Sequence, residues 1–508
     1  MSRPIRKVLV ANRGEIAIRI CRTLREMGIG SVAIFSEADQ DSPHVLAADE
    51  AYPVGPAPAA QSYLDAARVL DVAKRSGADA VHPGYGFLSE SAAFAEKVIA
   101  RGLTWIGPTP AAIRALGDKL SARALAVKAK VPVLPGTEKP TRDPEELRRA
   151  ADRIGYPVAL KAAAGGGGKG MRRVSAPGEF EQALQLTQGE ARSAFGDDRI
   201  YLERWLEKPR HIEVQLLGDA RGDVIALGER DCSIQRRHQK LVEETPSPAL
   251  DDDRRAALLE LAVRIARAGG YTNAGTAEFL MDRSGNFYFL EVNSRLQVEH
   301  PVTEMALGLD LVREQVRLAS GEPLSLRQEH VRPRGHAIEF RIYAEDSEAG
   351  FLPQAGVVRH LTLPQGPGVR CDFGVRSGGT VPIHYDPLIG KIIVWGETRE
   401  QALARAARAL AECTLSGIPS SLLFHRWLTA QPAFLSGQYD TAYLTSEFRG
   451  TARAEDARDA EDAAVLAALY AATGPRGPRF ASSSNGGGDP PSRWRAAGRL
   501  FPAPPRSR

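Results

Sequence analysis

The chain opens on an alternation of short apolar runs and helical patterns. KVLVA at 7–11 is followed by EIAIRICRTLREMG, whose apolar positions recur at helical spacing, and then by SVAIFS. This β–α–β rhythm predicts a doubly wound parallel sheet. The loop after the first strand reads Asn12-Arg13-Gly14-Glu15 and lacks the dinucleotide fingerprint, so a Rossmann-like shape without a Rossmann cofactor is expected. From about Gly117 to Gly321 the pattern becomes hairpin-like, with loops dense in glycine and charge. A third region, from about Arg334 to Phe448, begins with the strand pattern HAIEFRIYAED and ends with the amphipathic QALARAARALAE. Beyond it, Ala454 to Ala472 reads as helical and the Pro/Gly/Ser/Arg tail from Gly474 as disordered.

Composition narrows the function classes. A chain of 508 residues with 43% hydrophobic residues is an ordinary globular protein of several domains. The net charge of +4 is misleading, because Pro475 to Arg508 carries seven arginines against one aspartate and the body is left slightly acidic. A nucleic-acid footprint is therefore not expected. Cys21, Cys232, Cys371 and Cys413 lie far apart without metal-ligand spacing and read as reduced thiols of a cytosolic protein. Neither a signal peptide nor a membrane anchor is expected.

Two stretches carry candidate chemistry. Gly165-Gly166-Gly167-Gly168-Lys169-Gly170 lies between strand-like PVALKAA and strand-like MRRVSA. A Walker A loop needs Gly at 163 and Ser or Thr at 170, where the chain has Ala163 and Gly170. A dinucleotide loop needs a helix afterwards. A glycine-rich hairpin folded over a triphosphate, with Lys161 and Lys169 supplying positive charge, satisfies both objections. In TAEFLMDRSGNFYFLEVNSRLQVEH, a two-residue turn at Ser284-Gly285 sets Glu278 opposite Glu291. Facing carboxylates repel unless a cation lies between them, which makes both candidate Mg²⁺ ligands. Strand alternation then puts Glu291, Asn293, Arg295, Gln297 and Glu299 on one face for as long as the chain stays extended. Upstream, His211, Glu213 and Gln215 share a face, and Arg236, Arg237, His238 and Lys240 read as polyanion contacts.

These residues belong to a longer series: ANRGEIAIRI, HPGYGFLSE, GDK, GGGGKGM, PRHIEVQ, ERDCSIQRRHQK, EVNSRLQVEHPVTE, FRIYAED and YDPLIGK. In this order, from about Lys7 to Leu444, they resemble the biotin carboxylases of the ATP-grasp superfamily. The resemblance implies an α/β and α+β fold. Its parts are a Rossmann-like domain at 1–117, an ATP-grasp domain at 118–333 with a lid at about 133–205, a β-rich C-terminal domain at 334–448, and the tail at 449–508.

It also implies roles. Lys119, Lys161, Gly167, Gly168 and Lys169 would surround ATP, together with Glu203, Arg204, Trp205, Leu206, His211, Gln235 and His238. Glu278, Glu291 and Asn293 would hold two Mg²⁺ or Mn²⁺ ions. Lys240, Arg295, Gln297, Val298 and Glu299 would bind bicarbonate, with Glu299 as its base. Tyr85 and Arg341 would lie beside biotin, which is a substrate carried by a separate biotin carboxyl carrier protein, since none of the five methionines sits in a biotin-attachment segment. Carboxyltransferase subunits, a homodimer, a cytoplasmic location and the first half-reaction of acetyl-CoA carboxylase in fatty acid synthesis are implied likewise. Propionyl-CoA, other acyl-CoA or pyruvate carboxylase remain alternatives. A different ATP-grasp carboxylate ligase would need neither RLQVEHPVTE nor HPGYGFLSE, and a scaffold subunit would show a broken metal or base position. Gly417-Ile418-Pro419-Ser420-Ser421 departs from the family's Lys-Thr-Asn and is expected to lie far from the chemistry.

Overall fold

A computed structural model describes residues 4–163 and 170–450. Gly167, Gly168 and Lys169 lie outside the described residues, as do the Ala-rich stretch and the tail. The first part is the expected parallel sheet. Strands β1 (Lys7–Val10), β2 (Gly30–Ser36), β3 (Glu50–Gly55), β4 (Ala80–His82) and β5 (Thr104–Trp105) run in the order β3-β2-β1-β4-β5. Helix α1 (Gly14–Glu26) buries Ile16, Ile20 and Leu24, the helically spaced positions, in a core shared with Val8 and Val10.

Helix α2 (Lys119–Lys128) starts at Asp118, whose carboxylate accepts from the Ser121 N–H. A small three-stranded layer follows, made of β6 (Val158–Ala162), β7 (Met171–Val174) and β8 (Ile200–Arg204) in the order β7-β6-β8. Helices α3 (Pro144–Ile154) and α4 (Phe180–Phe195) cover it through Leu147, Ala151, Phe180 and Leu184. Strands β6 and β7 pair antiparallel, Lys161 opposite Met171, so the glycine run joins two strands of a hairpin, as the dinucleotide alternative forbids.

Eight further strands form one antiparallel sheet. They are β9 (Arg210–Gly218), β10 (Val224–Arg236), β11 (Gln239–Thr245), β12 (Asn273–Met281), β13 (Phe287–Asn293), β14 (His336–Tyr343), β15 (Val369–Phe373) and β16 (Leu388–Gly396). Their order is β13-β12-β9-β10-β11-β14-β16-β15. The boundary expected near residue 334 does not interrupt this sheet, because β14 pairs with β11 from Val242↔Phe340 to Thr245↔Ala337. Helix α5 (Asp252–Ala268) packs across β9 and β10, helix α6 (His300–Leu307) across β10, β11, β14 and β16, and helix α7 (Arg399–Glu412) across β14 and β16. The amphipathic QALARAARALAE is the body of α7, with Ala402, Ala406 and Leu410 inward.

The turn between β12 and β13 differs from the two-residue expectation. It is a loop over 282–286, with Asp282 accepting from the N–H groups of Ser284 and Asn286. This shifts the register to Phe279↔Phe289, and a bulge at Leu290 then restores Glu278↔Glu291. Two departures cancel, so the predicted carboxylate pair survives.

Close packing of β12 creates one strict requirement. A Cβ at Gly275 would stand 1.9 Å from the Tyr271 hydroxyl, which donates to the Ala274 carbonyl. Gly275→Ala should therefore destabilise the protein by at least about 2 kcal/mol, read as a lower midpoint in thermal or urea unfolding. An unchanged midpoint would refute this packing.

Candidate active site

Four adjacent strands place one charged residue each in a single row across the sheet. Glu291 lies opposite Glu278, Glu278 opposite Glu213, and Glu213 opposite Arg230. Glu213 and Arg230 are completely buried, and their ion pair is 2.5 Å. Such carboxylates are tolerable only with cations at hand. Lys240 supplies the central one, its ammonium bonding Glu213 together with Glu278 at 2.9 Å and Glu299 at 2.7 Å.

His238 sits in a two-residue turn between β10 and β11, and Lys240 follows as the second residue of β11. Arg236 pairs with Gln239, and Arg237 and His238 take φ of 48° and 69°. Non-glycine residues rarely adopt this left-handed conformation, so the turn is strained while presenting His238 to the cleft. Arg236, grouped with these from sequence, turns away instead, packing 5.0 Å over the Phe351 ring.

The cleft encloses about 1430 Å³ between the small sheet and the large one. Lys119, Lys161, Arg204, Trp205, Leu206, His211, Gln235 and His238 line it, as do Lys240, Glu278, Glu291, Asn293, Arg295, Gln297, Val298 and Arg341. Glu203 lies beside it, bonded to Lys161 and, at 3.0 Å, to Arg123. Lys119 pairs with Glu291 at 3.0 Å. Extension ends at Asn293, yet the face predicted beyond it still converges: Arg295 donates to Gln297 at 2.9 Å and to Asn293, and Gln297 and Asn293 donate to Glu278. Glu90, from HPGYGFLSE, fixes Arg295 at 3.1 Å.

Glu278, Glu291 and Asn293 offer the hard oxygen donors that Mg²⁺ prefers, on one side of the cleft. His211, Glu213 and Glu278 also come within 4.8 Å of one another. That second set suits a cation less, because Glu213 is already neutralised by Arg230 and Lys240.

At the far end Arg341 bridges Glu243 at 2.5 Å and Glu299 at 2.8 Å. Burial raises the Glu299 carboxyl, but Lys240, Arg341 and Arg230 outweigh it and hold the group well below its ordinary range. Glu278 is likewise held low, burial being overcome by Lys240 and His211. Tyr85 is half-buried, its hydroxyl turned to Glu15, which also meets Lys391 at 3.2 Å. Tyr343 and Asp386 line the cleft beside Arg341 instead. The Gly417–Ser421 loop is not remote: the Ser421 hydroxyl donates to the Arg341 carbonyl at 3.1 Å and accepts from the Tyr343 N–H at 3.0 Å. The departure from the family pattern thus backs the very strand that carries Arg341.

Sequence reasoning missed Glu243, Arg230, Arg123 and Lys391. The alternation of HAIEFRIY flags Glu339 and Arg341 as sharing a face, but nothing local names their partners on β11 and β16.

The chain is similar to known proteins over most of its length. Residues 4–113 match the biotin carboxylase N-terminal domain, 118–327 the ATP-binding domain of the carbamoyl-phosphate synthase L chain, and 339–446 the biotin carboxylase C-terminal domain. A biotin carboxylase of Nostoc is 51% identical over 86% of this chain and 98% of its own length. The methylcrotonoyl-CoA carboxylase α subunit of Glycine max is also 51% identical, and there the chain spans 60% of the relative. The biotin carboxylase domain of Hydrogenobacter thermophilus 2-oxoglutarate carboxylase, solved with MgADP and bicarbonate, superposes with a TM-score of 0.84 at 44% identity, over 87% of this chain and 98% of that one. The chain belongs to the biotin carboxylase family.

Proposed function

We propose that the cleft uses ATP and bicarbonate to carboxylate biotin presented by a separate carrier protein. The observation that carries this reading is Glu299, shared between Lys240 on the nucleotide side and Arg341 on the opposite side. One carboxylate thereby joins two chemistries. The solved relative with MgADP and bicarbonate supports it.

Lys119 and Lys161 attract the triphosphate. Glu278, Glu291 and Asn293 would hold Mg²⁺ or Mn²⁺, which when bound neutralises phosphate charge. Bicarbonate sits by Lys240, Arg295, Gln297 and Val298. Glu299 is ionised and so ready to take its proton, but a carboxylate held by several cations is a weak base. Its basicity rises as Lys240 and Arg295 transfer their attraction to the attacking oxygen. Attack on the γ-phosphorus releases ADP and forms carboxyphosphate. This splits to CO₂ and phosphate, the phosphate takes the N1′ proton of biotin, and N1′ attacks CO₂. Arg341 stabilises the enolate-like ureido oxygen.

Subunits of a methylcrotonoyl-CoA carboxylase and a pyruvate carboxylase are about equally similar to this chain, so the choice of final acceptor is assigned to a partner carboxyltransferase. A homodimer and a cytoplasmic location belong to the same reading. No helix among the described residues is long and apolar enough to cross a membrane.

Glu243, one of the two carboxylates that hold Arg341, faces a third carboxylate with which it cannot easily ionise together. Glu243 and Glu339 are direct cross-strand partners, both completely buried, and burial pushes Glu243 up to about 7 and Glu339 well above its ordinary value, against Arg341 and Lys391. The folded protein therefore retains a proton that the unfolded chain releases at a lower pH. Stability from this pair is complete below the unfolded carboxyl range and is lost as pH rises towards about 7. Glu243→Gln removes the loss, so its melting temperature relative to the parent should rise between about pH 5 and pH 8. A pH-independent difference would contradict the shared proton.

Two further outcomes test the chemistry. Glu291→Gln should lower activity by roughly 100-fold and weaken the Mg²⁺ dependence, and a normal Mg²⁺ titration would remove Glu291 from the metal site. Glu299→Gln should abolish ADP release and ¹⁴C-bicarbonate incorporation together, whereas Arg341→Ala should suppress incorporation far more than bicarbonate-dependent ADP release. Proportional loss of both in Arg341→Ala would sink its assignment to biotin. ATP turnover independent of bicarbonate would sink the whole reading.

A further inference from the structure

Helix α2 carries two cations one turn apart, Lys119 and Arg123. Lys119 meets Glu291. Arg123 meets Glu203 on β8, which is also the partner of Lys161 on β6. Both members of the Arg123–Glu203 pair are largely buried, with side chains 14% and 10% exposed. The other guanidinium nitrogen donates to the Leu134 carbonyl, in the segment leading into the small sheet. That segment runs against β8 so closely that a Cβ at Gly136 would stand 2.5 Å from the Leu202 carbonyl oxygen and 3.1 Å from Arg123.

Resting on the reading that this cleft binds ATP, Lys161 faces a conflict. Its ammonium cannot neutralise Glu203 and serve a phosphate equally well. Releasing it would leave a buried carboxylate uncompensated, which is strongly unfavourable. We propose that Arg123 is a positioning residue that keeps Glu203 paired, so that Lys161 is free to turn to the nucleotide phosphates. Lys161 exchanges partners, and Arg123 does not. The geometry suits the division: the guanidinium is anchored at two points outside the phosphate region, while the ammonium lies on the cleft wall. Burial raises the Glu203 carboxyl, but Lys161, Arg123 and Lys119 outweigh it, so the group is an anion that needs a cation in either state.

The test is MgATP affinity measured by calorimetry on the full chain, without bicarbonate or biotin, alongside steady-state kinetics. Arg123→Leu should raise the Kd and the KM for ATP by roughly tenfold or more, with kcat changed by less than about twofold. Arg123→Lys should recover most of the affinity. In a Glu203→Gln background, where no anion needs holding, Arg123→Leu should have little further effect. An unchanged Kd in Arg123→Leu, or an equal loss in both backgrounds, would overturn the proposal while leaving the nucleotide site intact. Absence of MgATP binding by the unaltered chain would remove the nucleotide reading and this inference together.

Discussion

The architecture of the cleft depends on one ammonium. Lys240 sits among three carboxylates from three places in the fold: Glu213 on the interior strand β9, Glu278 on β12 beside the edge strand, and Glu299 at the start of α6. Without it these groups would repel one another in a region that water scarcely reaches. The strained turn at Arg237-His238 is intelligible in these terms, since it delivers the lysine that makes the acidic row possible. The same cation, by keeping Glu299 ionised, couples the Glu278 end of the cleft to Arg341.

The charges extend beyond Lys240 as a graded pattern. At β13 the Glu291 carboxylate is half-buried and paired with Lys119, whereas Glu278 beside it is already buried. Towards β14 and β16 the carboxylates become fully buried, and like charges face each other: Glu243 against Glu339, Arg341 against Lys391. Antiparallel register forces these contacts, and diagonal opposite-charge pairs, such as Arg341 with Glu243, compensate for them. The surroundings of Arg341 are thereby densely charged and almost closed to water.

Much of this was legible because strand alternation is a local signal. Glu278 and Glu291 could be set opposite each other from a hairpin alone, even though the loop and the bulge were both missed. The parallel sheet, the helices α1 and α7, and the hairpin around the glycine run followed from periodicity in the same way. The contacts of Lys240 with Glu213, and of Arg341 with Glu243, depend on strand order across a sheet whose neighbours are far apart in sequence. No local pattern encodes that order. Ser421 shows the limit clearly: a loop judged remote from its position in the chain hydrogen-bonds the backbone of a cleft residue, because α/β packing brings the two together. Family motifs supplied residue names there, but not the mechanical connections between them.

The unbroken sheet across residue 334 bears on how such chains recombine. Sequence profiles divide this chain into three modules, which invites the view that each could be exchanged between carboxylases as a cassette. The ladder between β11 and β14 argues otherwise for the second junction. Separating the parts would strip hydrogen bonds from two interior strands and turn each into a sticky edge. Gene fusions and fissions should therefore fall outside this unit, leaving the nucleotide half and the biotin half to be inherited together.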